Sequence, residues 1–329
     1  MPIVRRAEFA LQYSIVVPIY GDGYLAPALC AEFQAVMASY IGTPEIEQAL
    51  ELIFVNDGSP DDSLCTLLAL REQFPFVRVI DLSRNFGQHS AIACGMRKAQ
   101  GRIVLRMNVD MQDPPSEIPA ILEAMKEGDY DLVVGQYADR RSPLLDRLTA
   151  WLYYSAFRLL TGFNTPQNTS ALRAMNRRFV DAYNELTEKS RFPQGLDQWL
   201  GFRHKYVRIE HRARIDKRSS YAFWSRFRLA LNGVLYFSDR PLQLVATGGV
   251  LVSASGLALA LYVIAEKLLG MDYLPGYASL ASIGLVAFGI QVGCIGLLGL
   301  YIAKIFREVQ NRPLYVIRES YGQSADAPD

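Results

Sequence analysis

Two long apolar runs constrain the fold of this chain more than any other feature. Residues 242–265 and 278–303 carry almost no charge. Each run exceeds the roughly 20 residues that an α-helix needs to cross about 30 Å of hydrocarbon. A pair of buried core helices is the alternative, but uncharged runs of this length are rare in soluble domains. The sequence therefore predicts two membrane-spanning helices in the last third of the chain.

Charges beside these runs predict an orientation. Arg240 precedes the first run, whereas Lys267 is the only cation of the connecting loop 266–277. Three cations follow the second run: Lys304, Arg307 and Arg312. The positive-inside rule then predicts an integral inner (plasma) membrane protein whose catalytic part and both termini are cytoplasmic. The runs are rich in Gly, Ser and Ala, which permit close helix contact, so we also expect a homo-oligomer.

Overall composition narrows the choice of partners. The net charge of the 329 residues is +1, which gives no reason to expect nucleic-acid binding. The four cysteines are scattered without a Cys-x-x-Cys spacing, so disulfides and a thiolate zinc site are not expected. A catalytic part in a reducing compartment fits this pattern.

The first part of the chain alternates strand and helix patterns. The predicted strands are 13–19, 52–55, 77–82, 103–107 and 132–134, and the predicted helices are 24–39, 61–73, 88–99 and 116–126. This order predicts an α/β fold with a mainly parallel sheet and helices on both faces. Pro18 lacks a backbone donor, so pairing of the first strand is expected to stop there. Ser59 is expected to cap the second helix.

Two aromatic-rich segments precede the apolar runs, at 142–160 and 221–237. Such segments lie in the membrane interface or pack as ordinary core helices. Both alternatives stay open for 142–160, whereas the interface is favoured for 221–237 because it leads directly into the first run. The predicted organisation is a catalytic domain (1–215), an interfacial amphipathic helix (216–240), two transmembrane helices (241–304) and a C-terminal tail (305–329), with disorder over 320–329.

An acidic motif, Asn-Val-Asp-Met-Gln-Asp-Pro-Pro at 108–115, follows the fourth predicted strand. The carboxyl edge of an open α/β sheet is where ligands bind. Several oxygen-bearing side chains in such a place suit Mg²⁺ or Mn²⁺ that bridges to phosphates. Asn108 stands where an acid is expected.

Three further strand ends carry polar side chains. Tyr20 and Asp22 follow the first strand, and Asp57 follows the second before a Gly turn. The Asp57 carboxylate could bind a nucleobase or ribose, or it could be a turn residue that bonds its own backbone. Arg84 follows the third strand beside a helix N-terminus, which suits an anionic group.

These motifs together resemble one family. They are Val-Pro-Ile-Tyr at 17–20, Asn-Asp-Gly-Ser at 56–59, Ser-Arg-Asn-Phe-Gly at 83–87 and Asp-Met-Gln-Asp-Pro-Pro at 110–115. The combination resembles the polyprenyl-phosphate (dolichol-phosphate) glycosyltransferases of glycosyltransferase family 2, which have the nucleotide-sugar-binding GT-A fold. Similarity continues around 237–242, 299–302 and 308–313, so it covers nearly the whole chain. It is closest to the bacterial branch with two C-terminal spans, which includes enzymes that glucosylate undecaprenyl phosphate.

The resemblance implies a role for each matching residue. Pro18, Tyr20 and Asp22 line the nucleotide pocket, and Asp57 bonds the base. Asn108 and Val109 contact the donor, while Asp110 and Gln112 hold Mg²⁺ or Mn²⁺. The cations implied at the donor and acceptor phosphates are Arg140, Arg141, Arg214 and Lys217. Departures from the family pattern include Asn108, Tyr137 in place of a common Arg, Asn168 in place of an Asp, and Ser220 in place of a Lys.

The predicted activity is inverting transfer of a sugar from a nucleotide diphosphate sugar, UDP-glucose first, to polyprenyl (undecaprenyl) phosphate. The catalytic residues implied are Asp110, Asp113, Arg140 and Arg214, with Asp113 orienting the motif or taking up a proton. A processive polysaccharide synthase is one alternative, although Gln198-Trp199 only faintly matches its Gln-x-x-Arg-Trp element. A non-catalytic nucleotide-sugar-binding module is the other, and Asn108 is its support.

Overall fold

The computed structural model describes residues 11–42, 46–137, 155, 168–189, 193–212, 240–269 and 276–322. The chain divides into two compact units. The first contains the described residues 11–137, 168–212 and those from Pro313 onward, and the second contains residue 155 and the described residues from 240 to 312. The segment 221–237, and 142–160 apart from Ser155, lie outside the described residues, so their placement at a membrane interface stays a prediction.

A mixed sheet forms the centre of the first unit. Its strands are β1 (Tyr13–Ile19), β2 (Leu50–Asn56), β3 (Val77–Leu82), β4 (Ile103–Arg106), β5 (Leu132–Tyr137), β6 (Thr169–Asn176), β7 (His204–Ile209) and β8 (Ile317–Tyr321). Their spatial order is β7-β5-β6-β4-β1-β2-β3-β8. The central pairs β4–β1, β1–β2 and β2–β3 are parallel, as is β5–β7. The pairs β3–β8, β4–β6 and β5–β6 are antiparallel. The predicted mainly parallel sheet is therefore confirmed.

Helices cover both faces of this sheet. They are α1 (Ala26–Ile41), α2 (Ile46–Ala49), α3 (Ser63–Gln73), α4 (Gln88–Lys98), α5 (Ile118–Glu127), α6 (Arg177–Glu185) and α7 (Pro193–Trp199). Ile15 of β1 is fully buried in one core cluster with Phe33 of α1 and Ile121 of α5. The next residue, Val16, faces α4, where a Cβ on Gly95 would come within 2.3 Å of its side chain. Glycine at that position lets α4 lie close on the sheet.

In the first unit, the five predicted strands and the four predicted helices at 24–39, 61–73, 88–99 and 116–126 all form, with bounds that differ by a few residues. β1 and β3 have the predicted bounds. The strands β6, β7 and β8 were not predicted, because each mixes polar and apolar residues without a clear apolar run, and β7 and β8 are the two edge strands of the sheet. The prediction of disorder from residue 320 was wrong for Ser320 and Tyr321, which pair with β3.

The expectation that β1 pairing stops at Pro18 was wrong. Pairing with β2 continues to Ile19, whose carbonyl accepts a hydrogen bond from the Asp57 amide over 2.8 Å. On a parallel strand, every second residue forms its backbone hydrogen bonds with the same neighbouring strand. Val16 forms such bonds on the β4 side, and Pro18 lies two residues further along. The register between β1 and β4 ends at Val16. The missing donor of Pro18 therefore points to the side where the ladder has already ended.

The expected cap at Ser59 was also wrong. α3 begins at Ser63, and Asp61 Oδ1 accepts hydrogen bonds from both the amide and the hydroxyl of Ser63. Ser59 instead uses its hydroxyl oxygen to accept a hydrogen bond from the Gly21 amide over 3.1 Å. This contact ties the loop after β2 to the loop after β1.

The second unit contains two long apolar helices, α8 (Arg240–Leu268) and α9 (Tyr277–Val309). Both contain windows long and apolar enough to cross a membrane, Arg240–Ala258 with mean hydropathy 1.4 and Ala287–Val309 with mean hydropathy 1.7. Neither window is buried to any extent (0%). These helices therefore do not match the alternative of core helices in a soluble domain, which bury most of their surface.

Candidate active site

Asp57 joins two of the loops at the carboxyl edge of the sheet. It directly follows β2 and is 2% exposed. Its Oδ1 accepts a hydrogen bond from the Phe86 amide over 2.7 Å, and its Oδ2 accepts one from the Gly87 amide over 2.9 Å. Burial raises the pKa of Asp57, and the two amide bonds oppose that shift. The alternative of a turn Asp that bonds its own backbone was wrong, since this carboxylate bonds the loop after β3.

Gly58 permits the close approach of these loops. Its φ of +63° lies in the left-handed region that favours glycine. A Cβ at this position would also lie 2.4 Å from the Arg84 carbonyl carbon and 2.6 Å from the Asn85 nitrogen. Arg84 is exposed and stacks its guanidinium 4.5 Å from the centre of the Phe86 ring. Contact between Arg84 and an anionic group stays a prediction.

The end of β1 borders the same edge. Pro18 is half-buried, Tyr20 is 52% exposed and Asp22 is half-buried. Asp22 is followed by a short 3₁₀ turn, Gly23–Leu25, that leads into α1. Because β1 lies between β2 and β4 in the sheet, these residues lie between Asp57 and the acidic motif.

The backbone of the acidic motif is strained at its centre. Met111 has a φ of +59°, which is uncommon for a residue with a side chain. The Asp110 carboxylate is nearly buried at 9% exposure, and its Oδ1 accepts a hydrogen bond from the Gln112 amide over 3.3 Å. Strain of this kind persists where surrounding contacts determine the conformation, and it is frequent at functional sites.

The first two residues of the motif differ in exposure. Asn108 is half-buried, and its Oδ1 accepts a hydrogen bond from Gln88 Nε2 over 2.9 Å. A carbonyl oxygen has two lone pairs, so one acceptor position remains for a ribose hydroxyl. Val109 is 4% exposed and packs in the core cluster. Any contact that Val109 makes with the donor therefore comes from its backbone.

The donor set suits a divalent ion that a substrate helps to hold. Asp110 supplies a carboxylate and Gln112 an amide oxygen two residues further on. Among the residues that the structure describes, no group of three His, Cys, Asp or Glu side chains could hold a metal by itself. Mg²⁺ is usually bound by one or two carboxylates together with substrate phosphates. The residues present fit Mg²⁺ or Mn²⁺ of this kind, not a metal caged by protein alone.

Asp113 anchors the motif to the neighbouring strands. It is 1% exposed, and its Oδ1 accepts hydrogen bonds of 2.6 Å from both the Tyr137 hydroxyl and the Ser170 hydroxyl. Tyr137 ends β5 and Ser170 lies near the start of β6. Burial, and then the charge of Asp113, raise the pKa of the Tyr137 hydroxyl, so this group remains a donor. The geometry suits a carboxylate that orients the motif.

A pair of buried arginines was not identified from the sequence. Arg106 of β4 and Arg173 of β6 are register partners and are each 4% exposed. Arg173 forms an ion pair with the buried Asp197, whereas Nε and Nη1 of Arg106 have no hydrogen-bond partner among the described residues. Burial lowers the pKa of both guanidinium groups. The isolated Arg106 in an otherwise apolar strand was the signal that could have identified it.

Four predicted cations, Arg140, Arg141, Arg214 and Lys217, lie outside the described residues, and their roles stay predictions. The described chain before Arg214 does contact the acidic motif. The Arg212 amide donates a hydrogen bond to the Gln112 carbonyl over 3.1 Å. Arg212 is held in turn by two hydrogen bonds, 3.0 and 2.9 Å long, to the carboxylate of Glu32.

Comparison with known proteins identifies the family. The model of "Glycosyl transferase family 2" matches residues 14–183. The chain is 34% identical to the uncharacterized glycosyltransferase YkcC of Bacillus subtilis over 95% of both chains. It is 31% identical to the SfII prophage-derived bactoprenol glucosyl transferase of Shigella flexneri, over 94% of this chain and 99% of the relative.

A solved structure is similar over most of its length. The mannosyltransferase PcManGT from Pyrobaculum calidifontis, in complex with GDP-Man and Mn²⁺, matches 93% of this chain and 89% of its own with 16% identity and a TM-score of 0.47. The family match includes β1 from its second residue to the end of β6, and the four motifs at 17–20, 56–59, 83–87 and 110–115. The mixed sheet with its parallel centre is GT-A-like, and the chain is a glycosyltransferase that belongs to glycosyltransferase family 2.

Proposed function

We propose that this chain transfers a sugar from a nucleotide diphosphate sugar to a polyprenyl phosphate at a membrane surface. The observation that carries the proposal is the meeting of three neighbouring strand ends. β4, β1 and β2 are adjacent and parallel. Their carboxyl ends therefore bring Asp110, Tyr20 and Asp57 to one edge of the sheet. Relatives named bactoprenol glucosyl transferase, similar over nearly the full length, support a polyprenyl phosphate acceptor.

The donor is proposed to bind along this edge. Asp57 keeps a lone pair on each oxygen after accepting the two loop amides, so it can accept from a base. Tyr20 and Pro18 would cover the base and ribose, and Asn108 would accept from a ribose hydroxyl. Asp110 and Gln112 would hold Mg²⁺ or Mn²⁺, which when bound neutralises charge on the diphosphate. UDP-glucose is the first donor to test.

The sugar transfer needs little general acid–base catalysis. The acceptor phosphate is already anionic, so its oxygen can attack C1 of the sugar without a general base. The bond from C1 to the diphosphate breaks on the opposite face, which inverts the anomeric centre and releases the nucleoside diphosphate. Buried and doubly hydrogen-bonded, Asp113 would orient Asp110 rather than exchange protons.

The acceptor phosphate is proposed to meet the cations Arg140, Arg141, Arg214 and Lys217. The bond between Arg212 and Gln112 supports this for Arg214, which follows two residues later in the chain. The two apolar helices would anchor the enzyme beside its lipid substrate, with both termini in the cytoplasm and as a homo-oligomer.

A donor panel tests the function. The full-length protein, in detergent and in liposomes, is incubated with undecaprenyl phosphate, Mg²⁺ or Mn²⁺, and radiolabelled UDP-glucose, UDP-N-acetylglucosamine or GDP-mannose. We expect one donor to yield a lipid carrying a single sugar. Absence of lipid-linked sugar with every donor would refute the proposal. Long polymers would favour a processive synthase, and nucleotide-sugar binding without turnover would favour a binding module.

A further inference from the structure

The segment 313–322, which we call the C-terminal segment, follows α9 in the sequence and belongs to the unit that contains the sheet. Its strand β8 pairs antiparallel with β3, from Val79 opposite Tyr321 to Leu82 opposite Ile317. β3 directly precedes the loop 83–87 that holds Asp57. The C-terminal segment therefore borders one wall of the candidate donor pocket.

Arg318 holds the start of this loop. Its Nη2 donates to the Ser83 carbonyl over 2.7 Å, and its Nη1 donates to Asp81 Oδ2 over 3.1 Å. The Ser83 amide donates to the Val316 carbonyl over 2.9 Å. Both backbone polar groups of Ser83 are thus bound by the C-terminal segment. Hydrogen bonds that involve a charged group are about twice as strong as neutral ones.

A second set of contacts leads to the loop after β2. Asp81 is 1% exposed, and its Oδ1 accepts a hydrogen bond from Asn56 Nδ2 over 2.7 Å. Asn56 Oδ1 accepts one from the Ser59 amide over 3.3 Å. Arg318 is therefore connected through Asp81 and Asn56 to the turn that contains Asp57. Loss of Arg318 would leave the buried Asp81 carboxylate without its cation.

Further contacts fix the C-terminal segment on both sides of Arg318. Burial raises the pKa of the Cys94 thiol in α4, and the side chain of Tyr315 opposes that shift. Gly322 has a φ of +113°, and a Cβ there would lie 3.0 Å from Arg78 Cγ. The C-terminal segment thus lies near α4 at its start and near the side chain of Arg78 in β3 at its end.

We propose that the C-terminal segment is a structural part of the donor pocket and that Arg318 is a positioning residue for the two loops around Asp57. In the sequence, residues 310–316 connect α9 to β8. The identity of the ligand rests on the proposed function, whereas the positioning of the loops does not.

The test uses the full-length protein with Arg318→Met and Arg318→Lys, and Arg71→Met as the control at an exposed arginine of α3. Hydrogen exchange of the ligand-free proteins is followed in peptides containing 56–59 and 83–87, with α5 and β5 as references. Binding of UDP in the presence of Mn²⁺ is measured by calorimetry. Lysine keeps the positive charge but lacks the planar guanidinium group whose two terminal nitrogens reach both Asp81 and the Ser83 carbonyl.

We expect Arg318→Met to speed exchange about tenfold in both loop peptides and not in α5 or β5. Its Kd for UDP should rise about tenfold, which corresponds to about 1.4 kcal/mol. Arg318→Lys should be intermediate and Arg71→Met unchanged. Equal loop exchange in Arg318→Met and the native protein would overturn the inference, and so would faster exchange with an unchanged Kd. Failure of the native protein to bind UDP would count against the proposed donor, while the exchange data would still decide the role of Arg318.

Discussion

The hydroxyl of Tyr137 donates a 2.6 Å hydrogen bond to Oδ1 of Asp113, which is 1% exposed. In the family that the chain resembles, an Arg commonly stands where Tyr137 does, so the sequence marked this residue as a departure. The structure gives the Tyr hydroxyl a distinct contact. Together with the Ser170 hydroxyl, it donates to a buried carboxylate that we propose orients the acidic motif.

Tyr137→Phe should weaken both stability and transfer. Removal of the hydroxyl leaves Ser170 as the remaining donor to Asp113, so the free energy of unfolding should fall by about 1 to 2 kcal/mol. The transfer rate should fall while the KM for the donor changes little. Denaturant unfolding and steady-state kinetics measure the two effects. Tyr130→Phe is the control, and native-like behaviour of Tyr137→Phe would show that this hydrogen bond does not matter.

Asn108→Asp should tighten metal binding. The substitution adds a carboxylate two residues from Asp110, where the resembling family has an acid. Gln88 Nε2 can donate to the new carboxylate as it does to Asn108, so the local structure should persist. We expect the Mn²⁺ concentration for half-maximal UDP binding to fall about tenfold, equal to about 1.4 kcal/mol. An unchanged or higher half-maximal Mn²⁺ concentration would contradict the expectation that a carboxylate at position 108 strengthens metal binding.

Gly58→Ala should disrupt the loops around Asp57. The added Cβ would lie 2.4 Å from the Arg84 carbonyl carbon, so one of the two backbones must move. Gly21→Ala is a matched control, because Gly21 also has a positive φ (+75°) but no atom within 4 Å of the added Cβ. Left-handed strain alone costs about 1 to 2 kcal/mol. Thermal unfolding should show a larger loss for Gly58→Ala than for Gly21→Ala, and equal losses would contradict the close approach.

Nucleotide binding should weaken in acid because of Asp57. Burial raises its pKa above the ordinary 3.8, so it protonates at a higher pH than an exposed Asp. Protonation removes an acceptor that the base and the loop amides use. UDP affinity measured from about pH 4 to pH 7 should fall toward low pH. The Asp57→Asn variant should bind UDP weakly, and its affinity should not depend on pH in this way. A UDP affinity of the native protein that does not change with pH would argue against Asp57 as the acceptor.

The same pKa shift has the opposite consequence for stability. Because the folded-state pKa of Asp57 is raised, its protonated form favours the folded state. That contribution is fully present below the unfolded-state pKa and is lost as the pH rises through the folded-state pKa. Asp57→Asn should therefore flatten this part of the dependence of unfolding free energy on pH, whereas Asp62→Asn, at an exposed position, should not.

The local sequence pattern was sufficient to predict the strands at the centre of the sheet. β1 is an apolar run buried on both faces, and β3 is a buried strand rich in Val, Ile and Leu; such segments stand out in a sequence. β8 could not be found in this way, because Ile-Arg-Glu-Ser-Tyr is mostly polar and its partner β3 lies more than two hundred residues earlier. Its pairing is a tertiary contact that no local periodicity reports.

The candidate active site could likewise be predicted only in part from the sequence. The positions of Asp57 and Asp110 after strands were predictable, because the ends of parallel strands meet at one edge. The partners of Asp57 were not, since the amides of Phe86 and Gly87 reach it only through the conformation of another loop. Arg106 was read as part of an apolar strand, and only the register with Arg173 shows that two guanidinium groups are buried side by side.

The most direct test of the central claim compares the native protein with Asp110→Asn in the formation of undecaprenyl-phosphate-linked sugar. Asn keeps the shape of the side chain, including an oxygen that can accept from the Gln112 amide, but removes the charge that we propose holds the metal. With the donor identified by the panel and saturating Mn²⁺, we expect the native protein to form a lipid bearing one sugar. Asp110→Asn should form it at least about a hundredfold more slowly with unchanged thermal stability. Native-like product formation by Asp110→Asn would contradict the account.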